Sequence, residues 1–162
     1  MSIKKIICYI AVLVAIDQMI KVVIYHYFFN IRFDIIPSLL EFYPKFNDKY
    51  SYFNHLFNFE IGVFFLIGFV LIMQCIAIFY FLKHRKKYKI NLMDYVFIFF
   101  EAGAICALLG YFEEKGVLDY IYLKPLFIFD LKDLYINIFI CLLPICLVKK
   151  SLVDAKCKSQ NN

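Results

Sequence analysis

The sequence has few of the residue patterns from which soluble enzymes build ligand and metal sites. Its 5 glycines form no glycine-rich loop that could bind a phosphate group. Its 3 histidines are scattered and no Cys-x-x-C pair occurs, so the sequence predicts no metal site and no cofactor. No grouping of serine, histidine and aspartate indicates a nucleophilic triad. These absences argue against phosphate-loop, zinc and triad chemistry.

Charged residues are also scarce. They make up 19% of the 162 residues, while 64% are apolar and the mean hydropathy is +0.74. Soluble domains contain about 45–50% apolar and about 25% charged residues, so a single soluble core could not bury this much apolar surface. The composition excludes a soluble enzyme, a disordered protein and a secreted disulfide scaffold. It predicts a small integral membrane protein.

Four apolar stretches are candidates to cross a membrane. A bilayer core about 30 Å thick needs about 20 apolar residues of helix. The stretches cover residues 6–29, 61–82, 95–112 and 134–148. We expect the first to be retained rather than cleaved as a signal peptide, because Asp17 and Lys21 stand where a small-residue cleavage site would be. Residues 1–150 then form one all-α, four-helix membrane domain, and residues 151–162 form a flexible cytoplasmic tail.

The distribution of lysine and arginine predicts the orientation in the membrane. Eleven basic residues lie before the first span, between the second and third spans or after the fourth, against six in the other two connections. By the positive-inside rule, both termini are cytoplasmic. The net charge of +5 then reflects topology and attraction to anionic membrane lipids, and we expect no nucleic acid partner.

The two outer connections have an unusual character. Residues 30–57 are far longer than a usual helix–helix connection of about 2–8 residues, and they alternate polar and aromatic side chains. Residues 117–123 also alternate with a period of two, which is typical of a half-buried strand. We therefore expect a small outer β-like cradle over about residues 30–57, which forms, with the second segment, a roof over a site.

Several ionisable residues fall within the apolar stretches, where they are costly and indicate function. Asp17 and Lys21 are four residues apart and share one helix face. They form either an ion pair that anchors the bundle or a contact for a polar substrate. Glu60 and Glu101 either extend their side chains to the membrane surface, form interhelical hydrogen bonds, or belong to an ion pathway. The sequence leaves these alternatives open.

Asp119 and Asp133 form the most informative pair. Asp119 lies in the outer segment after the third span, and Asp133 lies at the outer start of the fourth. One interpretation is that both are ordinary interface carboxylates that cap a helix. The other is a catalytic dyad, because two aspartates close together in a low-dielectric pocket share one proton. One carboxylate then activates a water as general base, while the protonated one polarises the scissile carbonyl.

The order of motifs over about residues 5–150 resembles that of the lipoprotein signal peptidases (signal peptidase II), bacterial aspartyl proteases with four membrane spans. Residues 17–21, Asp-Gln-Met-Ile-Lys, are similar to the family's D-Q-x-x-K on its first helix. Asn47 is similar to the family's asparagine of the outer segment. Residues 118–121, Leu-Asp-Tyr-Ile, are similar to V-D-F-I, and residues 129–133, Phe-Asp-Leu-Lys-Asp, are similar to F-N-x-A-D. In the family, these last two motifs carry the catalytic aspartates.

This resemblance implies a membrane endopeptidase that removes signal peptides from lipid-modified bacterial prolipoproteins by cutting before the diacylglyceryl-cysteine. The catalytic residues that it implies are Asp119 and Asp133. The substrate-binding residues that we assign with it are Asp17, Lys21, Asn47 and Asp130. We expect no metal or cofactor, prolipoproteins and membrane lipids as partners, a monomer, and a location in the bacterial cytoplasmic membrane.

The chain departs from the family pattern at three places, one of which is that bulky tyrosine and lysine replace the family's small-residue run N-x-G-A-A-F. Asp130 stands where F-N-x-A-D has asparagine, which adds a third carboxylate that could raise the proton affinity of the dyad. Residues 106–111, Cys-Ala-Leu-Leu-Gly-Tyr, replace the family's G-N-x-x-D-R at the end of the third helix and lack its Asn and Asp–Arg pair.

Three alternative functions stay open at this point. A small ion- or proton-coupled transporter would use Glu60, Glu101 and the Asp17–Lys21 pair as a relay. The two halves of the chain show no internal repeat of the kind that many transporters have. A non-catalytic relative of the peptidase and a structural accessory subunit are the other two alternatives.

Overall fold

The chain forms four long helices and a small antiparallel sheet. The computed structural model describes residues 1–47, 62–88, 91–113 and 115–159. In chain order the elements are α1 (Ile3–Val23), a π-helix (Ile24–Phe28), β1 (Phe33–Ile36), β2 (Leu40–Asn47), α2 (Val63–Tyr88), α3 (Asn91–Tyr111), β3 (Val117–Leu123), β4 (Phe127–Phe129) and α4 (Leu131–Ser159).

All four helices are long and apolar enough to cross a membrane, as the hydropathy of the sequence predicts. Many large apolar side chains point away from the protein interior, and Phe64 on α2 is 86% exposed. A helix in lipid can leave such side chains on its surface, because the hydrocarbon around it is itself apolar. The prediction of a four-helix membrane fold with a small β cradle is therefore confirmed.

The ends of the fourth helix differ from the sequence prediction. The helix α4 begins at Leu131 rather than at residue 134, because Asp130 and Asp133 cap its first turn. It also continues to Ser159, so residues 151–159 are helical; that residues 151–162 form a flexible cytoplasmic tail stays a prediction. Leu152 and Ala155 in this extension are good helix formers.

The sheet joins the two outer connections, in the order β1-β2-β3-β4. The central pairing of β2 with β3 sets Lys45 opposite Asp119 and Asn47 opposite Val117. The predicted cradle is thus β-structured at β1 and β2, and residues 48–57 lie outside the described residues. Gly116 leads into β3 with a φ of 88°, a backbone conformation that glycine adopts without strain.

Close packing of α3 against α4 brings the start of α4 to the sheet. A Cβ on Gly103 of α3 would lie 2.6 Å from the Cδ1 atom of Ile136 on α4, so a larger residue there would force the Ile136 side chain to shift. The Tyr135 hydroxyl of α4 donates a hydrogen bond to the Leu13 carbonyl of α1, at 3.0 Å. These contacts fix α1, α3 and α4 relative to one another near the sheet.

A charged cluster joins the helices at the end of the bundle opposite the sheet. The Met1 ammonium lies 2.7 Å from Asp94 Oδ2 at the start of α3, and Arg85 Nε of α2 lies 3.0 Å from Asp94 Oδ1. The start of α1 and the connection between α2 and α3 therefore lie at the same end of the bundle. Their position on the cytoplasmic side stays a prediction from the positive-inside rule.

Candidate active site

The first turn of α4 is closed by a reciprocal cap that positions two of the acidic side chains. The backbone amide of Asp133 donates to Asp130 Oδ1, and the amide of Asp130 donates to Asp133 Oδ2, both at 3.2 Å. This is the capping-box arrangement, here with aspartate at both positions. The cap satisfies two backbone donors and holds both carboxylates at the end of the helix that faces the sheet.

Asp119 reaches the same place from β3. Asn47 on β2 donates a hydrogen bond from Nδ2 to Asp119 Oδ2, at 3.1 Å. The side chain of Asp119 is almost completely buried, whereas that of Asp133 is 42% exposed. Carboxylate oxygens of Asp119, Asp130 and Asp133 lie within 4.8 Å of one another. This separation is short enough for one water to bridge Asp119 and Asp133, so the predicted approach of the two residues is confirmed.

Lys132 places an ammonium among these three carboxylates. Its Nζ lies 2.9 Å from Asp130 Oδ1, 3.3 Å from Asp119 Oδ1 and 3.4 Å from Asp133 Oδ2. Only 8% of Lys132 is exposed, so the charge lies inside the cluster rather than in solvent. Three carboxylates this close would otherwise repel one another strongly.

A second lysine extends the cluster to α1. Lys21 Nζ lies 2.9 Å from Asp17 Oδ2 and 2.7 Å from Asp130 Oδ2, so Asp130 lies between two ammonium groups. Gln18 also donates to Asp17 Oδ2, at 2.9 Å. Asp17 and Asp130 are both 0% exposed. The predicted Asp17–Lys21 pair is present, and it forms one continuous charged network with Asp130 and Lys132.

Burial and charge act on the two carboxylates that lie outside the membrane-spanning helices in different ways. Burial raises the pKa of Asp119 above its usual value, against the opposing effect of Lys132 and the Asn47 hydrogen bond. Burial alone would also raise the pKa of Asp130, but the ammonium groups of Lys132 and Lys21 outweigh it, so this pKa lies below its usual value. Asp130 therefore stays ionised at neutral pH, and Asp119 is shifted towards holding a proton.

A cavity of about 320 Å³ opens onto the acidic cluster. Its polar lining comes from Asn47, Asp119, Lys132 and Asp133, and its apolar lining includes Met73 of α2. Ala107 and Tyr111 also line it, so the departure from G-N-x-x-D-R leaves neutral side chains on this wall. The cavity thus combines an apolar wall formed by membrane helices with a carboxylate pair at its polar end.

The structure brings together all six site residues predicted from sequence, namely Asp17, Lys21, Asn47, Asp119, Asp130 and Asp133. Glu101 is instead bound by Gln74 of α2, whose Nε2 donates to Glu101 Oε2 at 3.0 Å. This contact agrees with the interhelical interpretation of Glu101, and Glu60 lies outside the described residues.

The sequence prediction missed Lys132. The available signal was its position in F-N-x-A-D, because residues 130 and 132 both replace neutral residues of the motif, with opposite charges. Within the described part of the chain, Asp119, Asp130 and Asp133 form the group that could hold a metal ion, and the Lys132 ammonium contacts all three. That the protein needs no metal or cofactor stays a prediction.

Comparison with known proteins identifies the family. A search of curated protein sequences returns no match. Two solved structures of a bacterial membrane enzyme, determined by the in meso method at 2.3 and 1.9 Å, share the fold with TM-scores of 0.77 and 0.76. Each is 21% identical to this chain; the alignments cover 92% and 91% of this chain and 90% and 94% of theirs. The sequence model of the signal peptidase (SPase) II family matches residues 9–149, and the chain therefore belongs to that family.

Proposed function

We propose that this protein is an aspartic endopeptidase that removes the signal peptide from lipid-modified bacterial prolipoproteins, cutting before the diacylglyceryl-cysteine. Family membership supports the general role of a lipoprotein signal peptidase. The observation that carries the proposal is the approach of Asp119 and Asp133, whose carboxylate oxygens lie within 4.8 Å at the polar end of an otherwise apolar cavity. Such a pair in a partly buried site can share one proton between two acids.

The proposed reaction needs one water and the one shared proton. The ionised carboxylate of the pair removes a proton from the water as its oxygen attacks the scissile carbonyl carbon. The protonated carboxyl donates its proton to the carbonyl oxygen, which yields a neutral gem-diol. Collapse of the gem-diol returns one hydroxyl proton to a carboxylate and breaks the C–N bond, while the other carboxyl protonates the leaving nitrogen. The dyad ends with one proton, as it began.

The other predicted residues differ in how directly they could contact the substrate. Asp17 and Asp130 are 0% exposed, which favours a positioning role over direct substrate binding. Asn47 holds Asp119 through its hydrogen bond and also lines the cavity, so it is the predicted binding residue best placed to touch a peptide. The substrate's signal helix would lie in the membrane beside the apolar wall, with the modified cysteine at the level of the sheet.

The same reasoning extends to location and assembly. We place the protein in the bacterial cytoplasmic membrane, with the sheet and the dyad at the outer surface and both termini in the cytoplasm. The excess of basic residues at the opposite end of the bundle supports this orientation. A monomer is sufficient, because one chain supplies every contact described for the cluster. Prolipoproteins and membrane lipids are its partners.

The experiment is a gel-shift assay with a lipidated precursor and purified protein in detergent micelles. Asp119→Asn and Asp133→Asn should each abolish cleavage while leaving expression and the thermal unfolding temperature near those of the wild type. Asp34→Asn is the matched control, because Asp34 is an exposed sheet residue paired with Lys124. Full cleavage by either dyad variant would refute the proposal.

A further inference from the structure

Residues 130 and 132 carry opposite charges that contact each other inside the acidic cluster. Asp130 Oδ1 and Lys132 Nζ are 2.9 Å apart, and both residues are buried. They occupy the two positions at which the chain replaces the neutral Asn and Ala of F-N-x-A-D. A lone charge introduced into such a cluster would be costly, whereas two opposite charges in contact offset each other.

The pair leaves the net charge around the dyad unchanged. The cluster contains the carboxylates of Asp17, Asp119, Asp130 and Asp133, and the ammonium groups of Lys21 and Lys132. With one proton shared by the dyad, it carries a single net negative charge. Neutral side chains at positions 130 and 132 would leave the same single negative charge. Loss of either residue alone changes this charge by one unit, in opposite directions.

The local geometry directs the Lys132 ammonium at both members of the dyad. The cap that fixes the first turn of α4 involves the residues on either side of Leu131 and Lys132, so the direction of the lysine side chain is set by the helix. Its Nζ contacts Asp119 from β3 and Asp133 from α4 at similar distances, 3.3 and 3.4 Å. One cation thus joins two carboxylates that different elements supply.

We propose that Asp130 and Lys132 act as one charge-compensated positioning pair, in which the Lys132 ammonium sets the separation of Asp119 and Asp133 and Asp130 supplies its counter-charge. This inference rests on the proposed peptidase function. Lys132 acts through the two aspartates rather than on the substrate. The pair also sets the pH range in which the dyad holds a single proton, because a cation beside carboxylates favours their ionised form and an added anion opposes it.

Among the described residues, other titratable or charged groups lie around the cluster, and all of them remain in the variants described below. They are Asp17 and Lys21 of α1, Lys45 of β2, Cys106 and Tyr111 of α3, Tyr120 of β3 and Tyr135 of α4. A change in pH dependence between variants therefore reports on positions 130 and 132.

The test is a double-mutant cycle of Lys132→Met, Asp130→Asn and the two combined, with kcat, KM and the pH profile of lipidated-precursor cleavage measured for each. Methionine keeps most of the aliphatic stem, and asparagine keeps an oxygen for the helix cap. Lys132→Met should lower kcat at pH 7 at least about tenfold and move the profile to higher pH by about one unit. Asp130→Asn should lower kcat and move the profile to lower pH.

The double variant should recover most of kcat and a profile near that of the wild type, with KM little changed throughout. The Lys124→Met and Asp34→Asn variants form the matched control, because this exposed sheet pair should give no shift in either single variant. The inference would be overturned if the losses of kcat in the two single variants added up in the double variant. It would also be overturned if both single variants moved the pH profile in the same direction. Failure of all three variants to fold, as judged by thermal unfolding in detergent, would overturn it as well.

The outcome for the wild type separates the two proposals. A wild-type protein that does not cleave the precursor contradicts the proposed function, and the inference falls with it. A wild-type protein that cleaves, together with an inactive Asp119→Asn variant and an additive cycle, leaves the proposed function in place and overturns the compensating pair alone. If Lys132→Met does not fold but the double variant folds and cleaves, compensation is supported.

Discussion

Replacing Asn47 with alanine tests how the sheet controls the dyad. The Asn47 Nδ2 atom donates to Asp119 Oδ2 at 3.1 Å, and this bond favours the ionised form of Asp119. Hydrogen bonds to charged groups are worth about 1.5–3 kcal/mol. Asp119 keeps Lys132 as a partner in the variant, so we take about 1.5 kcal/mol, the lower end of the range. Since about 1.4 kcal/mol corresponds to one pKa unit, Asp119 should hold its proton to a pH about one unit higher.

The consequence is a shift of the cleavage profile with a defined sign. The rate of Asn47→Ala should peak about one pH unit higher than that of the wild type, because the dyad reaches its singly protonated state at a higher pH. The assay is precursor cleavage in micelles at pH values from about 5 to about 9, on both sides of neutrality.

Asn137→Ala is the matched control, because Asn137 is an exposed residue of α4. An Asn47→Ala profile that keeps its peak, or that moves to lower pH, would refute the link between this hydrogen bond and the protonation of Asp119. A loss of rate with the peak unchanged would instead assign Asn47 to substrate binding alone.

Three further predictions concern stability, measured as thermal unfolding in detergent. Lys21→Met should destabilise the fold by about 3–5 kcal/mol, because it leaves buried Asp17 and Asp130 without this ammonium. A loss of stability smaller than that caused by replacing an exposed lysine would contradict this prediction. Gly103→Ala should cost about 1–3 kcal/mol by pressing on Ile136, and Ile136→Ala in the same chain should relieve part of the cost. Ionised Asp130 should contribute to the free energy of unfolding. This contribution should be complete at pH values above the usual aspartate pKa, and it should be lost as the pH drops through the lowered pKa that Asp130 has in the folded protein. Asp130→Asn should remove this part of the acid sensitivity, and an unchanged acid transition would count against it.

Hydropathy was sufficient to predict the helices, because a segment in lipid must satisfy its own backbone groups and the helix does so within one apolar run. The approach of Asp119 and Asp133 followed from topology, since both lie at the same end of adjacent elements. The pairing of β2 with β3 could not be predicted, because the alternation in each segment indicates a strand but not its partner. That pairing is what brings Asn47 to Asp119.

The sequence contains a signal for the start of α4, but the apolar run alone places that start three residues too late. Hydrophobicity locates Leu134 as the first residue of the apolar run, whereas the Asp-x-x-Asp spacing of residues 130–133 places the cap earlier. With the helix beginning at Leu131, Lys132 falls in its first turn, beside the carboxylates. The direction of that side chain depends on helix geometry, which residue composition alone does not specify.

The reciprocal cap at the start of α4 limits which residues position 130 can accept. The side chain there must take a hydrogen bond from the Asp133 amide, which restricts it to Asp, Asn, Ser or Thr. The side chain at position 133 must likewise accept a hydrogen bond from the Asp130 amide. A survey of natural variants should therefore find hydrophobic residues at position 130 to be very rare, even in chains that have lost peptidase activity, because helix initiation alone is enough to retain a short polar side chain.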